Sequence, residues 1–287
     1  MMSQKEENKL KPIFLVLTAT LLFSIGAPIS KITHSSPMVL TFFRCGSGLT
    51  VFIIYGLYTG SCRPFKIKPR LIIGGVLYAA TSLSFYTALK FTTAANATIL
   101  GNTSPFFIAI LGFIFLQEKP LKQDWIILSI IMAGIVLCFF SGISFNGSKG
   151  DLLALAAGFF FSILAVIIKD AGPEDAIQPL IWGNLIAIIV TVPSLFIPDS
   201  VIPGNIPFFI VLGIFQMATP FILYAKGQAK MGTMEASLFK LLEPVAATVW
   251  VAILVSEIPS VLSIIGGSLV IAALFFKTFF AYIKTRK

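Results

Sequence analysis

The chain has 287 residues, 57% of them apolar and 11% charged, with a mean hydropathy of +0.95. These proportions exclude an ordinary water-soluble domain and make a lipid bilayer the solvent of most of the chain. The net charge of +9 does not indicate nucleic acid, because the basic residues are spread over short polar intervals instead of one basic domain.

The apolar residues fall in separate blocks of about 20, enough to cross a hydrocarbon core about 30 Å thick as helix. Helices are required because lipid offers the backbone no hydrogen-bond partner. Charged and turn residues divide the chain into spans at 12–32, 37–58, 70–90, 93–116, 124–141, 150–169, 176–197, 206–229, 233–255 and 259–283. This is an all-α integral membrane protein with ten transmembrane helices. Lys5, Lys9 and Lys11 precede an apolar run that is longer than a signal-peptide core and has no clear cleavage site, so the run is retained as the first helix.

With the N-terminus inside, the inner segments hold Lys5, Lys9, Lys11, Arg63, Lys66, Lys68, Arg70, Lys119, Lys122, Lys169, Lys226, Lys230, Lys284, Arg286 and Lys287. The outer loops hold Lys31, Lys90 and Lys149. That asymmetry puts both termini in the cytoplasm, in a plasma or bacterial inner membrane. Arg44, near the outer end of the second span, reads as a snorkelling anchor.

Shifting the chain on itself by 138 places aligns Ala19, Phe23, Ser24, Ala27 and Lys31 with Ala157, Phe161, Ser162, Ala165 and Lys169. A shift of 139 aligns Ala97, Pro105, Glu118 and Pro120 with Ala236, Pro244, Glu257 and Pro259, and Ser129 and Ala133 with Ser268 and Ala272. The predicted organisation is a tail (1–11), a first repeat (12–141), a linker (142–149), a second repeat (150–283) and a tail (284–287). Five spans per repeat is an odd number, so the second copy is inverted, the arrangement from which alternating access follows.

Residues 94–105 with Leu116-Gln117-Glu118, and 236–242 with Glu243-Pro244-Val245 and Ser256-Glu257, resemble the EamA-type members of the drug/metabolite transporter superfamily. The resemblance covers nearly the whole chain. It implies ten helices, cytoplasmic termini, a central cavity and export or exchange of metabolites. Ile127 stands where the second repeat has Gly266, and Ala273 where the first has Gly134, so close packing of the last helix in each unit is expected to differ. A homodimer is compatible with the sequence but not specified by it.

Pro105 and Pro244 interrupt the fourth and ninth spans and free the carbonyls of Gly101 and Lys240, which predicts a hydrated cavity there. Ala236, Lys240, Glu243 and Ala247 recur at helical spacing, putting two charges near mid-membrane. Exposure to lipid would cost roughly 2.5–3.5 kcal/mol for either, so the stripe must face protein or water. The corresponding first-repeat residues are Gly101 and Ser104. Lys240 and Glu243 are therefore candidates for substrate binding or proton coupling, with Asn102, Ser104 and Tyr224 as further candidates. The alternative is that Lys240 and Glu243, three residues apart, only neutralise each other. Phe23 and Trp182 are candidate aromatic walls, and Glu118 and Glu257, each two residues before a proline, read as helix-start signals.

Cys45, Cys62 and Cys138 lack metal-ligand spacing and His34 is the single histidine, so no metal or other cofactor is expected. The partners expected are a small-molecule substrate, the lipid bilayer and protons as coupling ion. A scaffold or receptor, and after it a membrane-embedded enzyme, are the rival readings. The five aspartates sit in or beside loops and no serine has a visible base, which leaves an enzyme little to use.

Overall fold

A computed structural model of the protein describes residues 4–26, 36–59, 66–143, 149–198, 201–255 and 260–286, and their regular structure is helical. The helices are α1 (Gln4–Ser24), α2 (Pro37–Thr59), α3 (Pro69–Phe91), α4 (Ala94–Gly101), α5 (Ser104–Leu116), α6 (Lys122–Cys138) and α7 (Lys149–Asp175). There follow α8 (Gln178–Thr191), α9 (Ile206–Val211), α10 (Thr219–Ala229), α11 (Thr233–Lys240), α12 (Glu243–Val255) and α13 (Val261–Arg286). A π-helical segment, Leu212–Ala218, joins α9 to α10 without leaving the helical path. His34, Cys62, Arg63, Lys31, Ser256, Glu257 and Pro259 lie outside the described residues, as does most of the expected linker.

Eight stretches among the described residues are long and apolar enough to cross a membrane, and Leu10–Ser24 is a shorter apolar helix. Helix α6 has 17 residues and opens on Lys122 and Asp124. The molecule is thus a multi-pass membrane protein, and the eight stretches include neither α1 nor the 17-residue α6.

The two proline breaks coincide with the internal duplication. Asn102 and Thr103 separate α4 from α5, and Leu241 and Leu242, 139 positions later, separate α11 from α12. Pro105 and Pro244 are each the second residue of the half-helix that follows, where the missing N–H is one that the helix would leave unbonded anyway. The Gly101 carbonyl is not left facing open space: a Cβ added to Gly158 of α7 would lie 2.9 Å from it.

Packing joins the two halves more than it holds either together. Helix α3 lies chiefly against α7 and α8, α1 against α10, and α2 against α8 and the π segment. Helix α5 packs on α7 and α11, and α6 on α13. Exchanging the halves maps most of this pattern onto itself, since α3–α7 becomes α10–α1 while α2–α8 and α6–α13 map onto themselves; α5–α11 is the exception, α12 and α4 having no comparable contact. Each repeat therefore supplies the surface that buries the other's helices.

The α6–α13 contact corrects an expectation. Gly134 and Gly266 do not correspond in the repeat alignment, yet they meet each other across the helix pair. A Cβ on Gly266 would fall 2.3 Å from the Gly134 carbonyl oxygen, and one on Gly134 would fall 2.8 Å from that of Gly266. Close packing is kept because each glycine makes room for the other's backbone. Ser263 donates to the Cys138 carbonyl at 2.6 Å, and Lys277 pairs with Asp124 at 2.5 Å with both side chains at most 10% exposed.

Candidate functional site

The α11–α12 break explains how two charges are held inside an apolar bundle. Lys240 is the last residue of α11 and Glu243 the first of α12, so the cation meets the negative end of one half-helix and the anion the positive end of the other. Each such interaction is worth about 0.3–1 kcal/mol, less than the roughly 2.5–3.5 kcal/mol that insertion of a charge costs. Direct contacts must supply the remainder. Lys240 Nζ lies 2.7 Å from Glu243 Oε2, with the side chains 18% and 28% exposed. The same ammonium lies 4.9 Å from the Phe161 ring centroid and 5.5 Å from that of Phe23, both within cation–π range. The pairing anticipated as the simpler reading is formed, and neither partner is sealed away.

A second polar cluster stands nearby. Arg44 of α2 is 6% exposed, so it does not snorkel to the membrane surface. Its Nη1 donates to the Tyr86 hydroxyl at 2.5 Å and to Gln216 Oε1 at 3.2 Å. The amide of Gln216 in turn donates to the Phe23 carbonyl at 3.1 Å. Two features bring Gln216 there. Gly213 lets the π segment approach α2 until an added Cβ would lie 2.3 Å from the Arg44 carbonyl oxygen, and the wider π turn sets the rotation of the residues after it.

The two clusters adjoin. Phe23 contributes its carbonyl to Gln216 and its ring to Lys240. Phe221 stands edge-on to Phe23 at 5.0 Å and to Tyr78 at 5.5 Å, forming an aromatic flank.

Other residues singled out from the sequence are placed differently. Asn102 turns back on its own helix, donating its amide to the Thr98 carbonyl at 2.8 Å. Ser104 is buried, and its carbonyl accepts from the Ser162 hydroxyl at 3.1 Å. Tyr224 is 1% exposed, and its hydroxyl has no partner among the described residues. It is the repeat counterpart of Tyr86, 138 positions earlier, which is the tyrosine that contacts Arg44. Trp182 donates to the Lys66 carbonyl at 3.1 Å and so anchors the approach to α3 instead of walling the centre.

Glu118 does signal a helix start, though not that of the helix following it in sequence. Its Oε2 accepts from the Thr233 backbone N–H at 2.7 Å, capping α11 in the other repeat. Lys169 closes the end of α10, donating to the carbonyls of Gln228 at 2.8 Å and Met231 at 2.7 Å. A cavity of about 470 Å3 opens here among Glu118, Asp124, Lys169, Lys230 and Glu235. It lies at the opposite end of α11 from Lys240.

Residues 10–140 and 148–279 each match the model of the EamA-like transporter family. The uncharacterized transporter YdfC of Bacillus subtilis (strain 168) is 27% identical over 265 residues, covering 88% of this chain and 84% of the relative. The pseudopaline exporter CntI of Pseudomonas aeruginosa (strain UCBPP-PA14) is 23% identical, covering 91% and 93%. Human solute carrier family 35 member G1 is 25% identical, covering 91% of this chain and 76% of its own. A chain of known crystal structure superposes with a TM-score of 0.78 over 93% of this chain at 19% identity, a likeness of fold alone.

Proposed function

The chain belongs to the EamA-like transporter family, and from that premise we propose that it is a secondary transporter exporting or exchanging a small polar or amphipathic metabolite by alternating access. The observation that carries this reading is the Lys240–Glu243 pair, held inside the bundle at a helix break, partly accessible and roofed by Phe23 and Phe161. Intramembrane ionisable groups at broken helices are where carriers hold substrates and coupling ions. The repeated break and the exchangeable packing of the halves support two inverted five-helix units, here assigned to 12–141 and 150–283. The positive-inside asymmetry supports ten spans with both termini in the cytoplasm of a plasma or bacterial inner membrane. The name of the Pseudomonas relative, a pseudopaline exporter, supports outward movement.

In this cycle Glu243 exchanges Lys240 for a proton or a substrate ammonium. The test is expression of wild type, Glu243→Gln and empty vector in matched cells, with metabolites profiled inside and outside by mass spectrometry. Compounds redistributed by the wild type and not by Glu243→Gln are expected. Equal redistribution by the variant would reduce the pair to a structural role, and identical profiles for wild type and vector would overturn the transport reading.

A further inference from the structure

We infer that Arg44 is the anchor for a carboxylate on the transported compound, and that Lys240 is not; the inference rests on the central polar cluster being the substrate site. A guanidinium stays charged at any physiological pH, so burying one without an anion is costly. Arg44 is buried to 6% exposure, yet the partners of its Nη1 are a neutral hydroxyl and a neutral amide. Its Nε is buried and has no hydrogen-bond partner. Three other cations are matched with acids, Lys277 with Asp124, Lys66 with Asp175 and Lys240 with Glu243, while Lys169 donates to three backbone carbonyls. No carboxylate among the described residues pairs with Arg44. The donor edge it has left over is the edge that a carboxylate engages in a planar two-point contact.

Placement narrows the chemistry. Gln216 accepts from Arg44 and donates to the Phe23 carbonyl, and the Phe23 ring faces Lys240, so Arg44 adjoins the Lys240 cluster. Lys240 is already neutralised by Glu243 and covered by two aromatic rings, whereas Arg44 carries an unbalanced positive charge. One such charge balances a carboxylate; a phosphate dianion would leave an excess negative charge beside Glu243. The repeat counterpart of Arg44 is Trp182, 138 positions later, which bonds to a loop carbonyl, so the anchor exists in one half alone.

The test uses the full-length protein in detergent with three probes of matched shape: 3-phenylpropionate, its neutral analogue 3-phenylpropionamide, and 2-phenylethylammonium. Thermal unfolding midpoints of wild type, Arg44→Gln, Arg44→Lys and Lys240→Gln are measured against probe concentration. The carboxylate is expected to raise the wild-type midpoint where the amide does not, to lose this effect in Arg44→Gln and to keep it in Lys240→Gln. Arg44→Lys, which keeps the charge without the planar fork, is expected to need about tenfold more probe, and it serves as the test variant if Arg44→Gln is not monodisperse. No stabilisation of wild type by the carboxylate, equal stabilisation of wild type and Arg44→Gln, or loss in Lys240→Gln with retention at Arg44 would each overturn the inference. Metabolite profiling separates the two readings: flux without Arg44-dependent probe binding removes the anchor and leaves the transporter, whereas absence of flux removes the substrate site itself.

Discussion

Lys277 and Asp124 illustrate how one ion pair can secure the periphery of the bundle. They meet at 2.5 Å between α6 and α13, almost out of reach of solvent. Removing one partner from a buried pair strands the other charge, at a cost of about 3–5 kcal/mol, whereas replacing both by groups of similar shape is often close to neutral. Lys277→Ala is therefore expected to lower the unfolding midpoint in detergent sharply, and the double variant Asp124→Asn with Lys277→Met to recover most of the loss. Glu118→Ala removes a cap from α11, worth about 1 kcal/mol, and hydrogen exchange at the Thr233 amide should accelerate with it. Legibility at this scale depended on reach. Lys240 and Glu243 were visible as candidates because they are three residues apart in an apolar run, so local spacing alone joins them. Distance to a span end places Arg44 near the membrane surface, whereas the groups that hold it inside lie 42 and 172 residues away in the chain. Glu118 was legible as a helix-start signal, but its target, Thr233, is 115 residues distant.

The half-helices were the most legible elements, since Pro105 and Pro244 mark the breaks and recur at a constant offset. The π segment was not legible: Leu212–Ala218 keeps the composition of an ordinary membrane helix, and its extra residue per turn has no side-chain signature. Yet it sets the rotation of Gln216. Deleting Phe215 should restore α-helical winding with the flanking helices nearly in phase, while Gln216 takes a new position within the segment and is drawn away from Arg44. Redistribution of metabolites should then fall to the empty-vector level while the circular dichroism of the purified protein stays helical. Equivalence in the repeat alignment does not tell which positions touch. Gly134 and Gly266 are inequivalent and in contact, and Gly266→Leu is expected to pry α6 from α13 and lower the unfolding midpoint by several degrees.

Across the whole molecule, the duplication could be found by sliding the chain on itself, but the interleaving of its copies could not, because it consists of contacts between residues far apart in sequence. Helix α3 packs on α7 and α8 in preference to its neighbours in the first half, and α10 packs on α1. Neither half holds the partners of its own buried faces. Separate expression of 1–143 or 149–287 is expected to give protein that is degraded or aggregated, and co-expression of the two to restore a detergent-stable complex, as read by co-purification through a tag on one half.

The same interleaving puts a clock on biosynthesis. Gln216 is 172 residues beyond Arg44, and at a ribosomal rate of about 5–20 residues per second the guanidinium waits roughly 10–35 s before that partner has been made. During this interval the second helix carries a charge whose final neighbours do not yet exist, so translocon, lipid headgroups or chaperones must shelter it. A slow codon tract or stall before α9 would lengthen the exposure, and the yield of this protein would be set by how quickly its second half follows its first.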